Sequence, residues 1–174
     1  MMETTSKLHA GQSFPALTFS RLDGSPYTFG GAGSWQALFV FRGQHCPICK
    51  GYLADLEARL AKFSDLGVTV AAVSADNEAQ TRITGEATKS TFPLLYGMDD
   101  ATMRKLGLYV SEPRSEQETD HDFSEPALFV VNPDGLLQVV EIANAPFLRP
   151  DLDKLLGGLG YIIANGYPIR GTAK

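Results

Sequence analysis

Cys46 and Cys49 are the only cysteines in the 174 residues, and both fall in one stretch, Gln36–Tyr52, which reads QALFVFRGQHCPICKGY. Two thiols separated by two residues can be interconverted between dithiol and disulfide. The reactive form in either direction is the thiolate, and a Cys-x-x-Cys setting lowers a cysteine pKa from ~8.5, often to ~7 or below. Cys46 stands at the step from an apolar run to a helical pattern, so it is expected near a helix N-cap. There, free backbone N–H groups and the positive end of the helix dipole favour an anion. Cys46 is therefore the expected nucleophile, and Cys49, which heads the apolar stripe of the helix, the expected resolving thiol.

Two inert core cysteines would be unremarkable singly, but a pair straddling Pro47 at a strand–helix junction argues for chemistry. A zinc site needs two more ligands, and His9, His45 and His121 offer no paired histidine spacing. An iron–sulfur cluster needs four thiolates. No metal or other cofactor is called for.

Ala37–Phe41 is apolar at every position, as expected of a strand buried on both faces of an α/β sheet. Cys49, Leu53, Leu56, Leu60 and Phe63 recur at spacings of four and three, predicting a helix over Pro47–Leu66 ended by Gly67. Val68–Ser74 is a second buried strand. Strand, helix, strand makes a βαβ unit, with the thiols at the carboxyl end of a central strand, where open α/β sheets bind ligands.

Before that unit, Met1–Phe14 reads as a loose leader. Ala16–Ser20 and Tyr27–Gly30 read as a small edge hairpin around Asp23-Gly24-Ser25-Pro26. Trp35 reads as a packing residue. After the unit, Asp76 is expected to cap a helix over Asn77–Lys89, Phe92–Tyr96 to be extended, and Asp99 to cap a helix over Asp100–Leu106. Ser111–Glu125 carries six acidic residues against Arg114, with no apolar residue before Phe123; it reads as a solvated acidic loop, or else as a lid or docking segment. Ala127–Val131 and Leu136–Ile142 form a hairpin about Asn132-Pro133-Asp134-Gly135. A last helix opens at Pro150, with Leu152, Leu155, Leu156, Leu159 and Ile163 on its apolar side. Tyr167–Lys174 reads as a tail.

Composition bounds the rest. The chain is 44% apolar and 20% charged, which fits one folded domain over 1–174. A net charge of −5 argues against nucleic acid or an anionic membrane as partner. The polar start MMETTSKLHAGQS has no signal-like apolar run, so a cytoplasmic location is expected, where a lone Cys-x-x-Cys is catalytic more often than structural.

The order of elements resembles the thioredoxin fold: an α/β fold with a central mixed β-sheet flanked by helices, here with an N-terminal β-hairpin extension. Within it, three stretches are similar to the peroxiredoxin-like proteins of the alkyl hydroperoxide reductase / thiol-specific antioxidant group. They are KLHAGQSFPALTFSRLDGSPYTF, the segment Phe41-Arg42-Gly43-Gln44-His45-Cys46-Pro47, and Leu128-Phe129-Val130-Val131-Asn132-Pro133-Asp134-Gly135. The superfamily resemblance implies a cis-proline facing the cysteines, and Pro126 stands at the matching place. The group's motif Pro-x-x-x-Thr-x-x-Cys is altered: Phe39 replaces the Pro, and Gly43 replaces the Thr whose hydroxyl helps orient peroxide. The group's arginine at the hairpin strand is replaced by Pro126.

Arg42 or Arg149 could supply a cation beside the thiolate, or each could form a surface salt bridge. His45 could assist the thiolate or relay protons, or lie exposed on the loop. The resemblance implies a thiol-dependent antioxidant peroxidase that forms a Cys46–Cys49 disulfide, recycled by a thioredoxin-like or small-molecule thiol. A thioredoxin-like protein disulfide oxidoreductase is the alternative, and a redox-sensing module a third reading. Redoxins often pair through their edges or loop faces, so a homodimer is compatible with the sequence.

Overall fold

The computed structural model describes residues 7–173. Its centre is a seven-stranded sheet in the order β2-β1-β5-β4-β3-β8-β9. The strands are β1 (Leu17–Arg21), β2 (Pro26–Phe29), β3 (Trp35–Val40), β4 (Val68–Val73), β5 (Leu94–Tyr96), β8 (Ala127–Val131) and β9 (Leu137–Ile142). A two-stranded ribbon pairs β6 (Val110–Ser111) with β7 (Phe123–Ser124). The helices are α1 (Pro47–Glu57), α2 (Leu60–Asp65), α3 (Glu78–Thr88), α4 (Asp100–Lys105) and α5 (Leu152–Asn165).

β3, β4 and β5 run parallel, while β8 and β9 add an antiparallel hairpin on the other side of β3. Five of the six residues of β3 are buried, as its unbroken apolar run requires. Alternate residues feed two cores. Phe39, Val70 and Leu128 face Leu53, Leu56 and Phe63 of α1–α2 and Leu156 and Leu159 of α5. Leu38, Val73 and Phe129 face Phe14, Phe29 and Met103 on the opposite side. The N-terminal hairpin lies at the sheet edge, with β1 antiparallel to β5.

Four expectations need correction. The helix over Pro47–Leu66 is two helices: Arg59 leaves the helical conformation (ψ 2°) and its guanidinium reaches Asp153 of α5 at 2.8 and 3.0 Å. Asp76 does not cap α3. Asn77 does, in a reciprocal capping box with Gln80, which leaves the Asp76 carboxylate free for other contacts.

No cis peptide bond occurs among the described residues, so Pro126 is joined in trans. The chain passes extended from β7 into β8, with the Glu125 N–H donating to Tyr109 O and Pro126 O accepting from Ala143 N–H, so there is no tight turn for a cis bond to make. Lastly, the leader is not loose throughout. Residues 1–6 lie outside the described residues, but the Gly11 N–H donates to Leu137 O, the Leu137 N–H donates to Gln12 O, and Phe14 is buried against Phe29 and Phe129.

Candidate active site

The parallel register of β3 and β4 brings Val40 level with Val73. The segments leaving their carboxyl ends, Arg42–Cys46 and Ser74–Asp76, therefore meet above the sheet. Cys46 is the N-cap of α1 and Pro47 its first residue, where a missing N–H costs no helical bond. The Cys46 sulfur accepts from the Cys49 N–H at 3.2 Å. Both thiols are free, and both are buried, Cys46 at 1% exposure and Cys49 at 0%.

The two sulfurs are electrostatically unlike. Hydrogen bonds from the Cys49 side chain and backbone, and from the Arg42 guanidinium, bring the Cys46 thiol down to about 6 against the cost of burial. Burial and the neighbouring Cys46 sulfur push the Cys49 thiol far up. The arrangement favours negative charge on Cys46 and the proton on Cys49.

Each sulfur has its own arginine. Arg42 is 3.1 Å from Glu125 Oε2 and 3.9 Å from Glu118 Oε1, and stacks on the Phe123 ring at 4.8 Å. Arg149 Nη2 donates to Cys49 Sγ at 2.7 Å, its Nε donates to Pro146 O, and its guanidinium lies over Tyr52. Neither is a plain surface salt bridge. Pro126 shares a small crevice with Tyr52, Leu148 and Arg149, so it stands on the Cys49 side of the site.

Gly43 has φ +145°, a conformation that disfavours side chains. A Cβ there would lie 2.6 Å from Asp76 Oδ1 and 3.1 Å from His45 Nδ1. The Asp76 carboxylate, 1% exposed, occupies the volume of the absent side chain. It accepts from the Gln44 N–H at 2.7 Å and faces His121 Nε2 at 3.3 Å. Burial raises its pKa.

His45 is not exposed on a loop. Its ring packs on Phe123 at 4.5 Å, and burial, helped by the Arg42 charge, lowers its pKa to about 4. It is a neutral ring at pH 7 and contributes no cation to the thiolate.

Ser111–Glu125 is likewise more than a solvated loop. Glu112, Glu116 and Asp122 are exposed, but Thr119, Phe123, Ser124 and Glu125 are buried, and the segment walls the Cys46 side of the site. Sequence reasoning missed Asp76, Phe123, Glu125 and Tyr52. Asp76 had one available signal: it follows a parallel strand adjacent to the one that carries the cysteines, at the ligand-binding end of the sheet. Among the described residues no group of three His, Cys, Asp or Glu side chains is placed to hold a metal, and no helix is long and apolar enough to cross a membrane.

A Cys-x-x-Cys at the start of the helix after a central strand, on a sheet of this order, places the chain among thioredoxin-fold proteins. Solved structures agree on the fold. A peroxiredoxin-like protein from Aquifex aeolicus superposes with a TM-score of 0.74 at 19% identity, covering 90% of this chain and 89% of that one. Mycobacterium tuberculosis AhpC superposes with a TM-score of 0.74 at 16% identity, covering 97% and 100%. The model of the AhpC/TSA family matches residues 10–140, and the chain belongs to that family. Alkyl hydroperoxide reductase C of Staphylococcus epidermidis is 24% identical over 124 residues, 71% of this chain and 63% of that protein. The Escherichia coli protein of the same name is 24% identical over 123 residues, 71% and 64%. The matched region thus spans a little under two thirds of these relatives' length.

Proposed function

We propose that the protein is a thiol-dependent peroxidase. The observation that carries this reading is the Cys46 sulfur at the N-cap of α1, accepting the Cys49 N–H at 3.2 Å beside Arg42, in a chain of the AhpC/TSA family. The Cys46 thiolate attacks the terminal peroxide oxygen. The O–O bond breaks, an alcohol or water leaves, and Cys46 becomes a sulfenic acid. Cys49 then displaces hydroxide from that sulfur, giving water and the Cys46–Cys49 disulfide. Backbone N–H groups at the helix start and the Arg42 guanidinium stabilise the developing charge.

Gly43, His45 and Pro47 shape the turn that presents Cys46, and Pro126 backs Cys49. An external thiol, thioredoxin-like or small, restores both cysteines. The reading takes 1–174 as one redoxin domain acting in the cytoplasm; one central sheet with a core on each face supports the first part. Pairing of two chains is compatible with it.

A second reading, protein disulfide exchange, is favoured by one observation: Ile48, Phe147 and Leu148 are exposed beside the thiols, at 47%, 72% and 48%. Such an apolar rim suits a polypeptide partner. The two readings part in the Cys49→Ser variant. Treated with one equivalent of hydrogen peroxide, it is expected to stall as Cys46 sulfenic acid, visible by mass spectrometry as an added oxygen or a dimedone adduct. Accumulation of Cys46-linked mixed disulfides with other proteins instead, with no sulfenic acid, supports the exchange reading. Cys46→Ser is expected to be inert in both assays, and an active Cys46→Ser variant would exclude both.

A further inference from the structure

The site holds two guanidinium groups, and the geometry separates them. Arg42 lies on the Cys46 side, tied to Glu125 and Glu118. Arg149 approaches from the segment after β9, and its Nη2 is 2.7 Å from Cys49 Sγ. It is held there by the Nε bond to Pro146 O and by the Tyr52 ring, whose hydroxyl donates to Pro150 O at 2.7 Å. The Arg42 backbone N–H adds a second, longer contact to the same sulfur at 3.4 Å. Cys49 has no solvent contact, so any negative charge on it must be met by these groups.

We propose that Arg149 is the counter-charge of Cys49: it serves the steps in which Cys49 carries negative charge, namely attack on the Cys46 sulfenic acid and release from the disulfide, and not the attack of Cys46 on peroxide. The proposal rests on the disulfide cycle described above. In the reductive step, a thiolate of an external dithiol attacks Cys46 Sγ. The Cys46–Cys49 bond breaks, a mixed disulfide forms at Cys46, and the electron pair goes to Cys49 Sγ against the Arg149 guanidinium. The second thiol of the dithiol gives its proton to Cys49 and attacks the mixed disulfide. The dithiol leaves oxidised to a disulfide, with Cys46 as thiolate.

A leaving thiolate departs faster when its charge is stabilised, and the Arg149 guanidinium supplies that stabilisation at Cys49. The other titratable or charged groups around Cys49 are Cys46 on its own helix, Arg42 at the end of β3 and Tyr52 on α1. Glu141 of β9 lines the crevice that Arg149 shares with Tyr52 and Pro126. Of these, Arg149 is the one whose side chain donates to Cys49 at hydrogen-bond distance.

The test uses Arg149→Gln and Arg149→Lys in the full chain, with dithiothreitol as the dithiol. Opening of the Cys46–Cys49 disulfide is expected to slow roughly 10- to 100-fold in Arg149→Gln, the loss of one charged hydrogen bond, with Arg149→Lys intermediate. Sulfenylation of Cys46 by peroxide, measured in the Cys49→Ser background, is expected to change less than about threefold, because Arg42 serves that sulfur. An independent readout needs no peroxide. With Cys46→Ser, the pH profile of Cys49 alkylation should shift to higher pH when Arg149→Gln is added, because removing a cation disfavours the thiolate.

Equal slowing of sulfenylation and disulfide opening would overturn the proposal by making Arg149 general to the site. An unchanged Cys49 alkylation profile would overturn it by reducing the contact to packing. If the unaltered protein forms no disulfide with peroxide yet the alkylation profile shifts, the peroxidase reading fails while the role of Arg149 at Cys49 stands.

Discussion

Replacing Arg42 with Met is expected to slow oxidation of Cys46 by peroxide roughly 10- to 100-fold at pH 7, the worth of one charge-assisted hydrogen bond in a dry site. Arg42 is the cation nearest Cys46 and one of the groups that bring its pKa to about 6. Its loss favours the neutral thiol, so the inflection of the pH–rate profile moves upward, and the deficit shrinks as pH rises toward the ordinary cysteine range.

The same change destabilises the fold. Glu125, 5% exposed, keeps the Ser111 hydroxyl at 2.7 Å on Oε1 but loses its ion-pair partner at 3.1 Å. Breaking one side of a buried pair costs about 3–5 kcal/mol. Phe123 also loses the guanidinium stacked on it. Methionine retains most of the apolar stem, so the loss reports charge rather than volume. Stopped-flow oxidation across pH, with a thermal melt, checks both arms. An inflection still near 6 contradicts the assignment of Arg42.

The second large effect is at Gly43. Restoring the family's threonine there is expected to damage the protein rather than improve it. The positive φ strains any side chain by about 1–3 kcal/mol, and the Cβ meets Asp76 Oδ1 at 2.6 Å. Asp76 cannot move cheaply. Its other oxygen holds the Gln44 N–H at 2.7 Å, its own N–H reaches Ser74 Oγ at 3.3 Å, and His121 closes on it. Overpacking of this kind adds about 1–3 kcal/mol. A total of about 2–6 kcal/mol corresponds to a fall of roughly 5–20 °C in melting temperature for a domain of this size. Peroxide oxidation should fall with it, because the Gly43–Gln44 turn sets the approach to the N-cap. A Gly43→Thr protein that melts like the original would mean that Asp76 does not occupy the side-chain volume of residue 43.

These two positions also mark where sequence reading stopped. The Cys-x-x-Cys at a strand–helix step, the buried strands 37–41 and 68–74, the edge hairpin and the Asn132–Gly135 turn are local signals, and each is present in the fold. Gly43 was legible as a departure from a motif, but its reason was not. Asp76 lies 32 positions away from Gln44 and reaches it only through the parallel register of β3 and β4.

As a sequence, Asp76 before Asn77 reads as a helix cap; the cap fell one residue later, because Asn77 and Gln80 satisfy each other's backbone N–H groups. Acidic composition suggested that 111–125 is solvent-exposed, whereas Glu125 is buried because Arg42 pairs with it. Pairing of a charge with a distant partner leaves no local trace. Arg149 was legible as a candidate cation, but not the sulfur it serves. It is 100 positions from Cys49, and only the packing of the segment after β9 against α1 brings the two together.

The proposed peroxidase chemistry requires a Cys46 set up to react with peroxide. The direct measurement is rapid mixing of the fully reduced protein with one equivalent of hydrogen peroxide over a range of pH, following Cys46–Cys49 disulfide formation by quenched mass spectrometry. Oxidation should be far faster than that of a free thiol of equal pKa. Its rate should level off above about pH 6 and fall tenfold per unit below, as the Cys46 thiolate is protonated. Oxidation no faster than such a thiol, together with rapid exchange with protein disulfides, would contradict the peroxidase assignment and leave disulfide exchange as the function of the pair.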